Sequence, residues 1–296
     1  MIARALAALA ALSWTAPATA MPDDAAAGLQ PPESVESRLV PGRTVQVWLP
    51  PGYAAGRDRY PVLYLHDGQN VYDTPSPWSG RSWAVHRALA KGIAERRLRP
   101  AILVAVWNTE NRLGEYMPEA ALAAAPGAAS EPGKDLFRSL PVSRDKVAGD
   151  AYLRFLVDEL KPRIDARYRT RRDRRHTLLM GSSMGGLISA YALARYPGVF
   201  GGAACLSTAW PIGGGFPVDW FVANLPDPAR HRLYFDYGTG TDDGAIEPFQ
   251  RRVDAAATAA GFTARGYRSF AWPGHKHSES AWAERVHVPL EFLLSR

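Results

Sequence analysis

Three short stretches of this chain carry side chains that can do chemistry together. Ser183 stands in GSSMGG, with Gly181 two residues before it and Gly185 two residues after. Asp242 and Asp243 stand in GTGTDDG, and His275 and His277 in PGHKHS. A serine hydroxyl is a poor nucleophile until a base takes its proton as it attacks. Histidine can take that proton and return it to a leaving group, and a carboxylate can fix the imidazole tautomer and stabilise the imidazolium. The glycine spacing fits a strand-to-helix turn so sharp that backbone passes where a Cβ would sit, which pushes the serine outward. A Gly-rich turn with a surface serine has the same letters, so the reading rests on what frames it.

The frame is a series of strands that must deliver these groups to one edge of a sheet. Residues 44–50 alternate like a strand, and 61–67 and 101–107 are short apolar runs of the kind buried on both faces. Residues 81–97 and 150–167 have helical spacing. Next come a strand at 176–180, the turn at Ser183, and a helix at 186–197 stopped by Pro197 and Gly198. Strands at 200–207, 232–238 and 263–272 follow, with helices at 247–260 and 280–294. This alternation predicts a mostly parallel central sheet with helices on both faces. The aspartates then fall just past one strand and the histidines just past the last, at the carboxyl edge where such sheets bind ligands. A negative charge developing on an attacked carbonyl needs preorganised N–H donors. The amide of Met184, next to the serine, is one candidate, and the amide of Gln69 in HDGQN is the other, with Gly68 allowing the close turn.

PVLYLHDGQNVYD, NRLGEYMP, GSSMGGLISAYALARYPGVFGGAACLS, DYGTGTDDGAIEPFQRRVDAA and GHKHSESAWAERV together resemble the bacterial esterase D/"putative esterase" family. The likeness runs over residues 38–294. It implies an α/β-hydrolase fold, with Ser183 as nucleophile, His277 as general base and Asp243 as acid. It also supports the Gln69 and Met184 amides as the oxyanion hole, and it implies no cofactor and no metal. The activity implied is hydrolysis of a small-molecule or oligosaccharide ester through an acyl-enzyme, on carbohydrate-linked or phenolic-acid esters. Siderophore-trilactone esterases and mycolyltransferases share the family, so lactone hydrolysis and acyl transfer stand as alternatives. A hydrolase fold kept as a binding scaffold is the non-enzymatic one. The chain departs from the family pattern in one place: two adjacent aspartates stand where the family has an apolar residue before a single one.

The whole chain has 296 residues, 47% of them hydrophobic and 22% charged, enough for one sizeable core or two small domains. Residues 1–20 read as a secretory signal: Arg4, an apolar run at 5–14 too short to span a bilayer, then small residues before a cut after Ala20. A periplasmic or secreted protein is expected, with no membrane span once the signal is removed. Residues 21–37 read as a flexible arm and 38–296 as the catalytic domain. The single cysteine, Cys205, lies in a small apolar run and reads as a buried, inert thiol. Formal net charge is +6, concentrated at 161–176. That run precedes the strand leading to Ser183, so it belongs at the sheet's opposite edge. It has one aromatic, Tyr168, so no nucleic-acid partner is expected.

Some residues keep two readings. Trp210 is the candidate to stack on a sugar or aromatic acid, although most tryptophans are core. Arg112, in NRLGEY with Glu115 and Tyr116, either takes an acid group of the substrate or braces the next loop in an ion pair. His275, His277 and the two aspartates have the composition of a metal site, but His277 already has a role. Residues 117–149, rich in Ala, Pro and Gly, read as a lid insertion over the site or as a loose insertion.

Overall fold

In a computed structural model of the chain, residues 27–73, 80–125 and 140–296 are described. The signal at 1–20, the start of the arm and the centre of the insertion lie outside them. The strands are β1 (Glu33–Val35), β2 (Arg43–Trp48), β3 (Val62–Leu65), β4 (Ile102–Val106), β5 (Thr177–Ser182), β6 (Gly202–Leu206), β7 (Arg232–Gly238) and β8 (Tyr267–Trp272). They form one sheet in the order β1-β2-β4-β3-β5-β6-β7-β8. β1 and β2 are antiparallel to their neighbours, and β3 to β8 are parallel. β3, β4, β5 and β6 are buried at every residue, which is why they read as continuous apolar runs.

The helices are α1 (Val85–Ala94), α2 (Arg112–Glu115), α3 (Glu119–Ala124), α4 (Gly149–Arg154), α5 (Lys161–Arg167), α6 (Met184–Arg195), α7 (Phe216–Ala223), α8 (Glu247–Ala259), α9 (Glu279–Arg285) and α10 (His287–Leu294). Alternate strand residues feed two cores. Val62 and Tyr64 pack with α4, α6 and α7 on one face. Leu63 and Leu65 pack with α1 and α10 on the other.

Four details differ from the sequence expectation. The arm is not loose throughout: Leu29 bridges Trp48, and β1 pairs with β2 from Glu33 to Val35. The helix at 150–167 contains a π-helical stretch, Phe155–Leu160, ahead of Pro162, which has no N–H to offer the turn before it. The last helix is two, because Pro289 cannot donate to Arg285 and its ring crowds that carbonyl, so α9 stops there. α7 carries no polar stripe to mark it, since it is apolar around most of its circumference.

The basic run ends at the amino end of β5 and Ser183 follows its carboxyl end. A six-residue strand, about 20 Å long, separates them. The two ends of the insertion are pinned together: Asp150 N–H donates to Glu119 Oε1 at 2.8 Å. Its central residues, 126–139, lie outside the described ones.

Candidate active site

Ser183 sits between β5 and α6 with φ 56° and ψ −124°, a conformation that costs a non-glycine residue about 1–3 kcal/mol. The turn is tight enough to explain both glycines. A Cβ on Gly181 would lie 2.5 Å from the carbonyl carbon and oxygen of Gly185. One on Gly185 would lie 3.2 Å from Asp67 Oδ2 and 3.3 Å from His66 Cβ. The strained serine is held by backbone on both sides. Its N–H donates to Leu206 O at 2.9 Å, and its carbonyl accepts from Ala209 N at 3.1 Å. Ser183 is thus tied to the loop that leaves β6.

Asp243 and His277 meet in that neighbourhood. His277 Nδ1 lies 2.7 Å from Asp243 Oδ1. The other carboxylate oxygen, Oδ2, accepts from the Gly238 amide and the Ser207 hydroxyl, both at 2.6 Å. Burial alone would push the Asp243 carboxyl up. Hydrogen bonds from His277, Ser207 and Gly238 outweigh burial and hold it below the usual carboxylate range. The imidazole packs edge-on against Trp282, with centroids 5.0 Å apart, and Trp282 in turn packs on Trp83. Ser207 joins this group to the serine, because it lies in the same loop, between Leu206 and Ala209.

The loop after β3 supplies the other wall. Asp67 is left-handed, φ 55°, and starts a 3-10 turn over Gly68–Asn70. Gly68 is obligatory there, since a Cβ would lie 2.8 Å from the backbone of Ala105 and Val106. Gln69 and Met184 each stand in the first turn of a helix, where an amide has no carbonyl one turn back to bond. β3 and β5 are neighbours in register Leu65↔Met180, so these two helix starts are adjacent. Asp67 holds its loop through three partners: its N–H bonds Tyr116 Oη at 3.1 Å, Asn108 donates to Oδ1 at 2.5 Å, and Arg112 grips both oxygens at 2.7 Å. Taken together, the strand ends present a half-buried serine, an acid-backed imidazole and two helix-start amides.

Residues 37–291 match the sequence profile of a family described as "Putative esterase". The chain belongs to that esterase family. Among curated proteins, an endo-1,4-beta-xylanase/feruloyl esterase from Xylanibacter ruminicola is 28% identical over 244 residues, 81% of this chain and 28% of that protein. The chain therefore spans little more than a quarter of that relative's length. Among solved structures, an IroE-like serine hydrolase from Shewanella oneidensis aligns with TM-score 0.65 at 20% identity, over 88% of this chain and 78% of that one. The enterobactin esterase of Shigella flexneri aligns with TM-score 0.60 at 18% identity, over 89% and 59%. These likenesses show the fold, which is that of the α/β-hydrolases.

Within this chain the two aspartates are unlike. Asp243 is fully buried against His277, whereas Asp242 is exposed. His275 turns elsewhere: its ring packs on Trp272, and Nδ1 lies 3.3 Å from Arg285 Nη1. One expectation for substrate contact is corrected. Trp210 is fully buried between Phe221 and Phe235, its N–H is spent on Gln250 Oε1 at 2.8 Å, and its ring borders a small cavity with Tyr191 and Trp220 instead of standing open at the surface. Arg112 is an ion-pair residue, with Asp67 as its partner, and it remains 24% exposed. Glu115 pairs instead with buried Arg43, at 3.0 and 2.8 Å. Sequence reasoning missed Ser207, Arg285 and Asp67. Only Asp67 had a signal, its place beside Gln69.

Proposed function

We propose that this protein hydrolyses carboxylic esters through a Ser183–His277–Asp243 triad and an acyl-enzyme. The observation that carries the reading is the 2.7 Å bond from His277 Nδ1 to buried Asp243 Oδ1, at strand ends flanking a serine with φ 56°. Asp243 accepts a hydrogen bond from Nδ1–H and keeps the proton on that nitrogen, so Nε2 is left with its lone pair to take the Ser183 proton during attack. The amides of Gln69 and Met184 stabilise the oxyanion. The imidazolium returns its proton to the leaving alkoxide, and a water molecule repeats the sequence on the acyl-enzyme.

The substrate class we favour is an ester on a carbohydrate or phenolic acid, supported by the name of the xylanase/feruloyl esterase relative. A catecholate trilactone is the second reading, supported by the enterobactin esterase neighbour. We also propose export, with the mature chain starting at Met21. A fluorophosphonate probe labelling Ser183, followed by a panel of acetyl, feruloyl and lactone esters on the mature protein, tests the nucleophile and the substrate class, and intact-mass analysis of exported protein tests the cut. No labelling and no turnover would leave a binding scaffold.

A further inference from the structure

The hydroxyl of Ser207 has an unusual hydrogen-bond inventory. It is fully buried and stands at φ 43°, in the left-handed region that a serine rarely occupies. Its N–H donates to Asp236 O at 2.7 Å, which holds it there. Three groups reach its Oγ: Trp282 Nε1 at 2.9 Å, Arg285 Nη2 at 2.9 Å and Asp243 Oδ2 at 2.6 Å.

The direction of each bond follows from the groups themselves. Indole and guanidinium nitrogens can only donate. They therefore occupy both lone pairs of the hydroxyl, and its one proton has a single destination, Asp243 Oδ2. The Gly238 N–H points at the same oxygen. An oxygen that receives two protons from donors has no room to carry its own. Asp243 is thus restricted to the carboxylate form at Oδ2, and Oδ1 is the oxygen left for His277.

We propose that Ser207 is the positioning residue that selects the tautomer of His277, and that Trp282 and Arg285 act through it. The chain of donors runs from α9, through the loop after β6, and ends on the Asp243 carboxylate in the loop after β7, whose other oxygen faces His277 Nδ1. Arg285 is suited to the start of this chain. Its side chain is 1% exposed, its position is fixed by Asp236 Oδ1 at 3.1 Å, and it lies 3.9 Å from Asp243 Oδ2. With Ser207 removed, Oδ2 loses its strongest donor, the carboxylate can rotate, and the imidazole is free to carry its proton on either nitrogen.

This inference rests on the reading of Ser183, His277 and Asp243 as a triad, and one measurement separates the two. Nitrogen-15 NMR of histidine-labelled protein at alkaline pH, with the His277 signals identified by their loss in His277→Gln, reports which nitrogen is protonated without any turnover. In the wild type the proton is expected on Nδ1. In Ser207→Ala a mixture of tautomers is expected, and kcat should fall about ten- to a hundredfold with KM within about twofold, as for a misoriented base. Ser207→Gly serves if the alanine variant does not fold, because glycine accepts the positive φ at no steric cost. A folded variant that keeps the Nδ1–H tautomer overturns the proposal, whatever its kcat. Unchanged kcat in a folded variant overturns it too. A wild type that shows the Nδ1–H tautomer but no Ser183-dependent ester hydrolysis would remove the triad reading and leave the role of Ser207 standing.

Discussion

Arg112 holds both carboxylate oxygens of Asp67 at 2.7 Å, and Asp67 begins the turn that carries the Gln69 amide. Burial pushes the Asp67 carboxyl up, but the charge and hydrogen bonds of Arg112, with help from Asn108, hold it below the usual range. Arg112→Gln removes the charge and leaves a buried carboxylate short of partners. Breaking a fully buried pair costs about 3–5 kcal/mol, and Arg112 is 24% exposed, so a loss of about 2–3 kcal/mol is expected. kcat should fall about ten- to a hundredfold as the Gln69 amide loosens. Denaturant melts and steady-state kinetics measure both, and wild-type values in each would show that the pair is ornamental.

His66, beside Asp67, makes stability depend on pH. Its ring is buried among Tyr116 and Tyr152, and Nδ1 lies 2.7 Å from Tyr152 Oη. Burial is the main cause that lowers its pKa to about 4, only partly opposed by Asp67, with Arg112 and Arg43 adding to the drop. The unfolded value is about 6.5, so the unfolded chain binds the extra proton between the two. Stability from neutral His66 is full above about pH 6.5 and is lost as pH falls towards 4. The loss amounts to about 3 kcal/mol. His66→Asn should be the less pH-sensitive protein over that window in thermal melts, even if its Tm at neutral pH is lower. Parallel Tm–pH curves for the two proteins would assign the acid sensitivity elsewhere.

What the sequence disclosed follows from how each feature is encoded. β3 to β6 were legible because strands buried on both faces are apolar at every position, and the order of Ser183, Asp243 and His277 was legible because each follows a strand. α7 was not, since FPVDWFVA lacks the polar face that marks a surface helix. Trp210 could not be told from a ligand platform, because tryptophans near a site loop and in a core are alike in sequence. Ser207 and Arg285 were invisible for a stronger reason: their contact joins residues 78 apart and depends on a positive φ that serine does not advertise.

The elbow itself can be tested through its glycines. Gly181→Ala puts a Cβ 2.5 Å from backbone that cannot give way. Overpacking of this kind costs about 3 kcal/mol, and activity should vanish as Ser183 shifts. Gly198→Ala is the matched control, with no heavy atom within 4 Å of the new Cβ and no positive φ. It should stay within about 0.5 kcal/mol of wild type and keep full activity. Equal effects in the two would mean that the turn tolerates a side chain.

If the proposed triad holds, Ser183→Ala should fold normally and lose about three to six orders of magnitude in kcat, because triad members act as a unit. Ser182 is the internal control: it is the last residue of β5, 3% exposed, paired in register with Leu206. Ser182→Ala should cost about 1 kcal/mol of stability at most and less than about tenfold in kcat. An inactive Ser182→Ala beside an active Ser183→Ala would move the nucleophile by one residue.

The acid can be separated from its neighbour by following protons. At Asp243 the Ser207 hydroxyl and the Gly238 amide both donate to Oδ2. In Asp243→Asn only the amide oxygen can satisfy them, so the NH2 must turn towards His277. Nδ1 then has to accept, the ring proton moves to Nε2, and the nitrogen proposed as the base can no longer take a proton. The expected cost is on the order of ten-thousandfold in kcat. Asp242 is exposed, so Asp242→Asn should cost less than about tenfold, the scale of a lost surface charge. Both variants need wild-type thermal melts for the comparison to hold. If the asparagine at 242 is the crippling one, the acid has been misassigned by one residue and the Ser207 donor chain ends on the wrong carboxylate.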